Sequence, residues 1–404
     1  MPGLTPPVLL ALLLAGQQMS CSRSSEAAAA KPDTSAKRPD QSIPHSPAAN
    51  DVGRFLAGLP GGPASAFKDL EATKAWQDHV AASNALWSHV HRRLPHMQAF
   101  QQRELASGPT AGDTVFYPFG GPDALNVTTL FPRGRSYVLI GLEPPGTLPD
   151  RLHLERRDLR WLLPQMRGAL DSILRISFFV TREMDRQLRG QITDGLLPVI
   201  LVQLTRTGHT ILGFRPVTLD NEGRIIARDP ADKSLLNPGV EIEFLAEGDK
   251  TARRLCYFSS NLATDKLAQN PRLLAFLANL NPDVTFFKAT SYMPHYEMFS
   301  LFRERVLTTT SAVVQDDSGI PFRYFAAPDW QVQLYGHYVK PIRLFHWLRQ
   351  PDLTAAFQQP GVRTIEFQIG YGFGRAPTNL LVARRVTSPT TIAGTVELDR
   401  PSAR

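Results

Sequence analysis

FYPFGGPDALNVTTLFPRGRSYVLIGLEPPG, residues 116–146, decides the fold. TVFYPF (114–119) reads as a strand broken by Gly120–Gly121. Pro122 fits a first helical position, where a missing amide hydrogen costs nothing, and Asp123 suits the positive start of a helix. Ala124, Val127 and Phe131 form an apolar stripe, and Pro132 stops it. SYVLIGLE (136–143) is the near-continuous apolar run of a parallel strand buried on both faces. Together these pieces predict a βαβ unit with a right-handed crossover.

Working outward, RRDLRWLLPQMRGALDSILRISFFV (156–180) predicts a long amphipathic helix bent at Pro164. LPVILVQL (197–204), TILGFRPVTLD (210–220) and RIIARD (224–229) predict an antiparallel meander, and VEIEFLAEG (240–248) with ARRLCYFSSNL (252–262) a further hairpin. The αβ rhythm then resumes. Asn270 caps a helix with Pro271 first, DVTFFKATS (283–291) holds a strand over 284–290, MFSLFRERVLTTT (298–310) is a helix and SAVVQ (311–315) a strand. WQVQLYGHYV (330–339) and TIEFQIGYGF (364–373) read as late β segments. Upstream, apolar residues recur every three to four positions over 68–94, so 53–110 reads as a helical segment. The fold class is α/β: a Rossmann-like, mixed, largely parallel sheet with an antiparallel, hairpin-rich insertion near 197–260, the whole domain spanning 111–404.

The N-terminus speaks of compartment. VLLALLLAG (8–16) is too short to span a bilayer but suits a signal peptide over 1–20. QQMSC follows, and its Cys21, preceded by small Ser20, resembles the lipidated Cys of a bacterial lipobox, although Gln18 stands where that motif has Leu. Residues 21–52 are Ala/Ser/Pro-rich and cannot bury enough apolar surface to offset their ordering entropy, so a tether is expected there. The chain is therefore expected on a membrane through an N-terminal lipid. With Cys21 lipidated, Cys256 is left as a buried small hydrophobe. The net charge of +7 comes from scattered single arginines, which points away from nucleic acid. His79, His89, His91 and His96 lack a nearby carboxylate or Cys and read as helix surface, so no metal is expected.

In element order the chain resembles class I methyltransferase-like Rossmann folds, with Glu143 where that resemblance implies a ribose-binding acid. A nucleotide fingerprint needs G-x-G-x-x-G, so that backbone amides reach a phosphate. Here the glycines are adjacent and Pro122 has no amide to donate. Neither NAD nor S-adenosylmethionine is expected to bind, and no cofactor is assigned. FYPFGGPD, GLEPPG, QDDSGIPFRYF, YGHYVKPI and QIGYGFGRAPTNLLVARR also resemble an uncharacterised group of exported bacterial proteins and lipoproteins. That resemblance implies export and carries over no catalytic residue.

Ligands of open α/β sheets bind outside the carboxyl ends of the strands. That rule collects Gly120, Gly121 and Asp123 after the first strand, Glu143 after the second, Ser291, His295 and Glu297 from SYMPHYE, and Asp316 and Asp317 from QDDSG, with Tyr335 and His337 beside them. His295, Asp316 and Asp317 are the candidate acid–base groups. Each has a plainer reading: QDDSG is also a solvated turn whose Asp side chains bond local amides, and Glu297 also favours a helix start. One cleft is expected to hold Gly121, Glu143, His295 and Asp316. No G-x-S-x-G, H-E-x-x-H, P-loop or C-x-x-C motif is present. Three readings follow: a lipid-anchored envelope protein binding a small molecule or envelope partner, an exported hydrolase or transferase with a His/carboxylate site, or a degenerate methyltransferase-like protein.

Overall fold

The computed structural model describes residues 43–148, 159–176, 195–229, 236–326, 328–372 and 378–386. The apolar run 8–16, Cys21 and the tether up to residue 42 lie outside them, as do both ends of the helix read over 156–180. Among the described residues ten strands form one sheet. They are β1 (Thr114–Pro118), β2 (Ser136–Gly141), β3 (Thr210–Leu219), β4 (Ile225–Ala227), β5 (Gly239–Leu245), β6 (Arg253–Ser259), β7 (Val284–Phe287), β8 (Ala312–Gln315), β9 (Trp330–Gly336) and β10 (Asn379–Arg385). Their order is β4-β3-β5-β6-β2-β1-β7-β8-β10-β9.

The five central strands, β6-β2-β1-β7-β8, are all parallel. Counted along the chain, they run 3-2-1-4-5, the order of a doubly wound sheet whose direction of winding reverses between β1 and β7. Antiparallel β5, β3 and β4 extend one side, and β10, antiparallel to both β8 and β9, extends the other. The architecture is a mixed α/β sheet with a parallel core and an N-terminal helical segment.

Period-2 alternation sends neighbouring side chains to opposite layers. Val115 and Tyr117 join the core under the helices Pro47–Leu56 (α1), Lys74–Phe100 (α2), Leu159–Ile176 (α3) and Leu197–Arg206 (α4). Phe116 joins the opposite core, built on Pro271–Leu280 (α5) and Ser300–Thr309 (α6). Among the described residues no helix is long and apolar enough to cross a membrane.

Several local expectations change. LPVILVQL is not a strand but most of α4, all ten of whose residues are buried. A helix buried all round shows no apolar stripe, so a short apolar run cannot be told from a buried strand. The expected insertion is part of the main sheet: β6 pairs antiparallel with β5 and parallel with β2, making it the third parallel strand. TIEFQIGYG (364–372) forms no strand; a single bridge, Arg363 to Tyr335, lies just before it, and its Phe367 and Ile369 enter the core. Residues 47–52, read as tether, open α1, whose Val52 and Phe55 are buried. The helix after β1 starts at Ala124 rather than Pro122, with Asp123 as its N-cap.

Candidate functional site

Winding reversal separates the loops after β1 and β7, and the crevice between them is where a ligand is expected first. Here the protein fills it. Gly120 lies over the Tyr117 ring, which any Cβ at that position would meet at 2.7 Å. The Gly-Gly turn thus serves close packing of backbone on a ring. Asp123 caps Ala124–Leu130, accepting from the Asn126 amide at 3.1 Å, from Asn126 Nδ2 at 2.8 Å and from the Tyr117 hydroxyl at 2.8 Å. Lys288, directly after β7, reaches its Oδ2 at 2.5 Å, and both side chains are almost fully enclosed. Burial raises the Asp123 pKa, but Lys288, Asn126 and Tyr117 outweigh it and hold the carboxyl below its usual range. Burial lowers Lys288, with Asp123 opposing. Arg93 joins the group by donating to Asn126 Oδ1 at 3.3 Å. The helix start that would meet a phosphate in a nucleotide-binding fold holds the protein's own carboxylate, ion-paired and buried.

One strand further, QDDSG is a turn, closed by the Gly319 amide donating to the Asp316 carbonyl. It is not solvated: Asp316, Asp317 and Ser318 are all buried. Asp316 accepts from the Ala289 amide at 2.8 Å and from the amide and hydroxyl of Ser318 at 3.0 and 2.5 Å. Gly370 presses on it so closely that a Cβ would stand 2.0 Å from Oδ2, at a left-handed φ of +59°. Asp317 has other partners. Its carboxylate accepts from Asn379 Nδ2 at 2.9 Å and from the Tyr292 hydroxyl, and its amide donates to Asn379 Oδ1 at 2.8 Å. Burial raises both acids, and the charge of Asp316 pushes Asp317 further, to about 7. Lys288 opposes the rise at Asp316, but it is already paired with Asp123.

Backbone strain concentrates at the same edge. Among the described residues six non-glycine positions have positive φ, and two of them are asparagines, which tolerate it. The other four, Phe119, Ala289, Ser291 and Tyr292, all follow β1 or β7. Each costs about 1–3 kcal/mol, and such residues gather at working sites.

A cavity of about 400 Å³ opens beside this cluster, lined by Asp317, Asn379, Tyr371 and the loop 337–343. It lies over the carboxyl ends of β8 and β9 and the start of β10. Asp317 and Asn379 offer hydrogen bonds; Tyr338, Pro341, Ile342 and Tyr371 supply apolar wall; His337, Lys340 and Arg343 are exposed and cationic or titratable. Its volume suits a small molecule.

The expected site residues divide accordingly. Asp317 and His337 line the cavity, whereas Gly121, Glu143, His295 and Asp316 do not, so the single cleft expected for those four is not this one. Ser291 adjoins the cavity indirectly, its amide donating to the Tyr371 hydroxyl at 3.0 Å. Glu143 flanks Gly141 with Gly121, its carbonyl accepting from the Tyr257 hydroxyl at 2.7 Å. His295 packs edge-on to Tyr292; burial lowers its pKa to about 4, and its Nε2 is enclosed without a partner. It is a neutral packed ring at pH 7. Glu297 is exposed on Arg303. Tyr335 lies in the core beneath the N-terminal helices, donating to Glu104 Oε2 at 2.8 Å. Among the described residues no three His, Cys, Asp or Glu gather to hold a metal.

Lys288, Tyr292, Arg93 and Asn379 escaped the sequence reading. Only Lys288 carried a signal, a lone cation closing the otherwise apolar TFFK. Comparison with family models, characterised proteins and solved structures finds no match to this chain.

Proposed function

We propose that the chain is an exported, lipid-anchored protein that binds a small anionic molecule in the cavity over Asp317 and Asn379. The observation that carries this reading is the contrast at one sheet edge: Asp123–Lys288 is enclosed after β1 and β7, while a cavity opens beyond it over β8, β10 and β9. Cationic Lys340 and Arg343 at the mouth favour an anion, and a protonated Asp317 beneath can donate a hydrogen bond to it. The apolar wall accommodates an uncharged body. Export and the anchor rest on the apolar run 8–16 and Cys21.

A second reading is an exported hydrolase or transferase. It is favoured by one feature, an Asp317 whose raised pKa suits proton transfer near neutrality beside strained backbone. Under it Asp317, rather than His295, is the acid–base group. The methyltransferase-like reading fares worst, because Asp123 fills the helix start that a cofactor would use.

Native mass spectrometry of the full chain, purified from membranes without added ligand, tests both parts. The expected result is a non-covalent adduct that is lost in Lys340→Ala/Arg343→Ala, on a chain whose Cys21 carries a diacylglyceryl mass absent from Cys21→Ala. A wild-type chain that carries no adduct, and is not stabilised by any of a panel of small carboxylates and phosphates, sinks the cavity reading. An unmodified Cys21 sinks the anchor.

A further inference from the structure

The loop 337–350, HYVKPIRLFHWLRQ, spends its apolar residues in two directions. Phe345 is buried against Tyr292 and Tyr371, in a small core with Ile342 and Leu348 packed on it. Leu344 and Trp347, on either side of Phe345, point outward, 46% and 43% exposed, and Val339 is 53% exposed. These are three of the seven large hydrophobic residues exposed on the described chain, all within nine positions. The core beneath is already occupied, so their exposure is not a failure to pack.

Cations alternate with them. His337, Lys340, Arg343, His346 and Arg349 are all exposed, and no acid occurs between Gly336 and Pro351. Among the described residues, Lys340, Arg343 and Arg349 have no ion-pair partner. We infer that this loop is a docking surface for an anionic lipid headgroup layer, with Leu344 and Trp347 dipping into the interface and Lys340, Arg343 and Arg349 on lipid phosphates. Trp and Leu among Lys and Arg are the side chains that seat a segment at a bilayer surface, and basic residues there gain from anionic lipid. Alternation also argues against a protein partner. Each exposed apolar side chain is next in sequence to a cation or histidine (Val339–Lys340, Arg343–Leu344, His346–Trp347), whereas the core of a protein interface is depleted of charge. A headgroup layer accepts both kinds at once. The inference stands apart from Cys21; it shares Lys340 and Arg343 with the cavity but rests also on Leu344 and Trp347, neither of which lines it.

Hydrogen exchange over residues 337–350 of the full chain, mixed with nanodiscs of phosphatidylglycerol or of phosphatidylcholine alone, provides the test. The expected result is at least fivefold slower exchange with the anionic discs than with the zwitterionic ones, weakening at high salt, where the Debye length shrinks to about 3 Å at 1 M. Leu344→Ser/Trp347→Ser should remove that protection, while Trp161→Ser, equally exposed elsewhere, should leave it intact. Exchange indifferent to anionic lipid overturns the inference. So does protection that rises with protein concentration without lipid, which would mark the loop as a contact between two copies. Because the wild-type measurement alone decides, a variant that misfolds cannot rescue the idea.

Discussion

Two places on one sheet edge were built from similar residue types and came out opposite. After β1 and β7, Asp123 and Lys288 meet at 2.5 Å, with Tyr117, Asn126 and Arg93 around them, and both side chains are enclosed. After β8 and β9, Asp317 is held by Tyr292 and Asn379, and a cavity remains above it. The difference is the partner. A carboxylate paired with a buried ammonium ends its chemistry in the fold, whereas a carboxyl crowded by another acid keeps a titratable proton. Winding order alone indicates where a crevice forms, and side-chain pairing decides whether it stays available.

Breaking the filled crevice should produce the largest effect. Asp123→Asn leaves Lys288 buried without the carboxylate it pairs with and replaces one of the two acceptor oxygens with an NH2 donor, facing the Lys288 ammonium and the Tyr117 hydroxyl if Oδ1 keeps the helix cap. Loss of one partner of a buried pair costs about 3–5 kcal/mol, readable as a drop in urea midpoint. Asp123→Asn/Lys288→Met should regain part of that loss, because no charge is then stranded. If Asp123→Asn alone is tolerated within about 1 kcal/mol, the pair is not the plug described here.

The open side should instead answer to pH. Burial and the Asp316 charge raise the Asp317 carboxyl from its ordinary 3.8 to about 7, so within that window the folded pair holds a proton that the unfolded chain does not. Stability from this group is therefore present below the unfolded value and lost as pH rises toward 7. His79, His209 and His295, each lowered by burial to about 4, act the other way: their contribution is lost as pH falls from 6.5 towards 4. Comparing Asp317→Asn with wild type cancels the histidines. The variant should gain relative stability as pH rises from 4 to 7, by at most about 1.4 kcal/mol per pH unit. Parallel stability curves would show that Asp317 is ionised throughout.

Much of this was legible in the sequence, for identifiable reasons. β1, β2, β7 and β8 announced themselves because strands buried on both faces are written as unbroken apolar runs bounded by turns. The same rule misled at 197–204, where a helix buried on all sides is written identically. Asp316 and Asp317 could be placed at the carboxyl edge, but not sorted. Which of them meets Gly370 and which meets Asn379 depends on segments more than fifty residues away. The filling of the first crevice was hidden for the same reason, since Lys288 and Asp123 are 165 positions apart and neither alone reveals the other.

The smallest stability effect separates two neighbours that the sequence could not tell apart. Tyr335 and His337 flank Gly336 at the end of β9, where the backbone turns left-handed and releases the strand. Tyr335 is 1% exposed and shares the Glu104 carboxylate with Arg363; His337 is exposed at the mouth of the cavity. Tyr335→Phe removes a donor from a buried carboxylate and should cost about 1–3 kcal/mol, without changing the ligand adduct in native mass spectra of the folded protein. His337→Ala should move stability by less than about 0.5 kcal/mol, as exposed substitutions do, yet lower the fraction of chain carrying the adduct. Its backbone amide, which donates to the Thr378 carbonyl at 2.9 Å, is untouched by the change, so the loop keeps its anchor. A His337→Ala chain that retains its adduct at wild-type occupancy would move the binding surface away from β9, towards Lys340 and Arg343 alone.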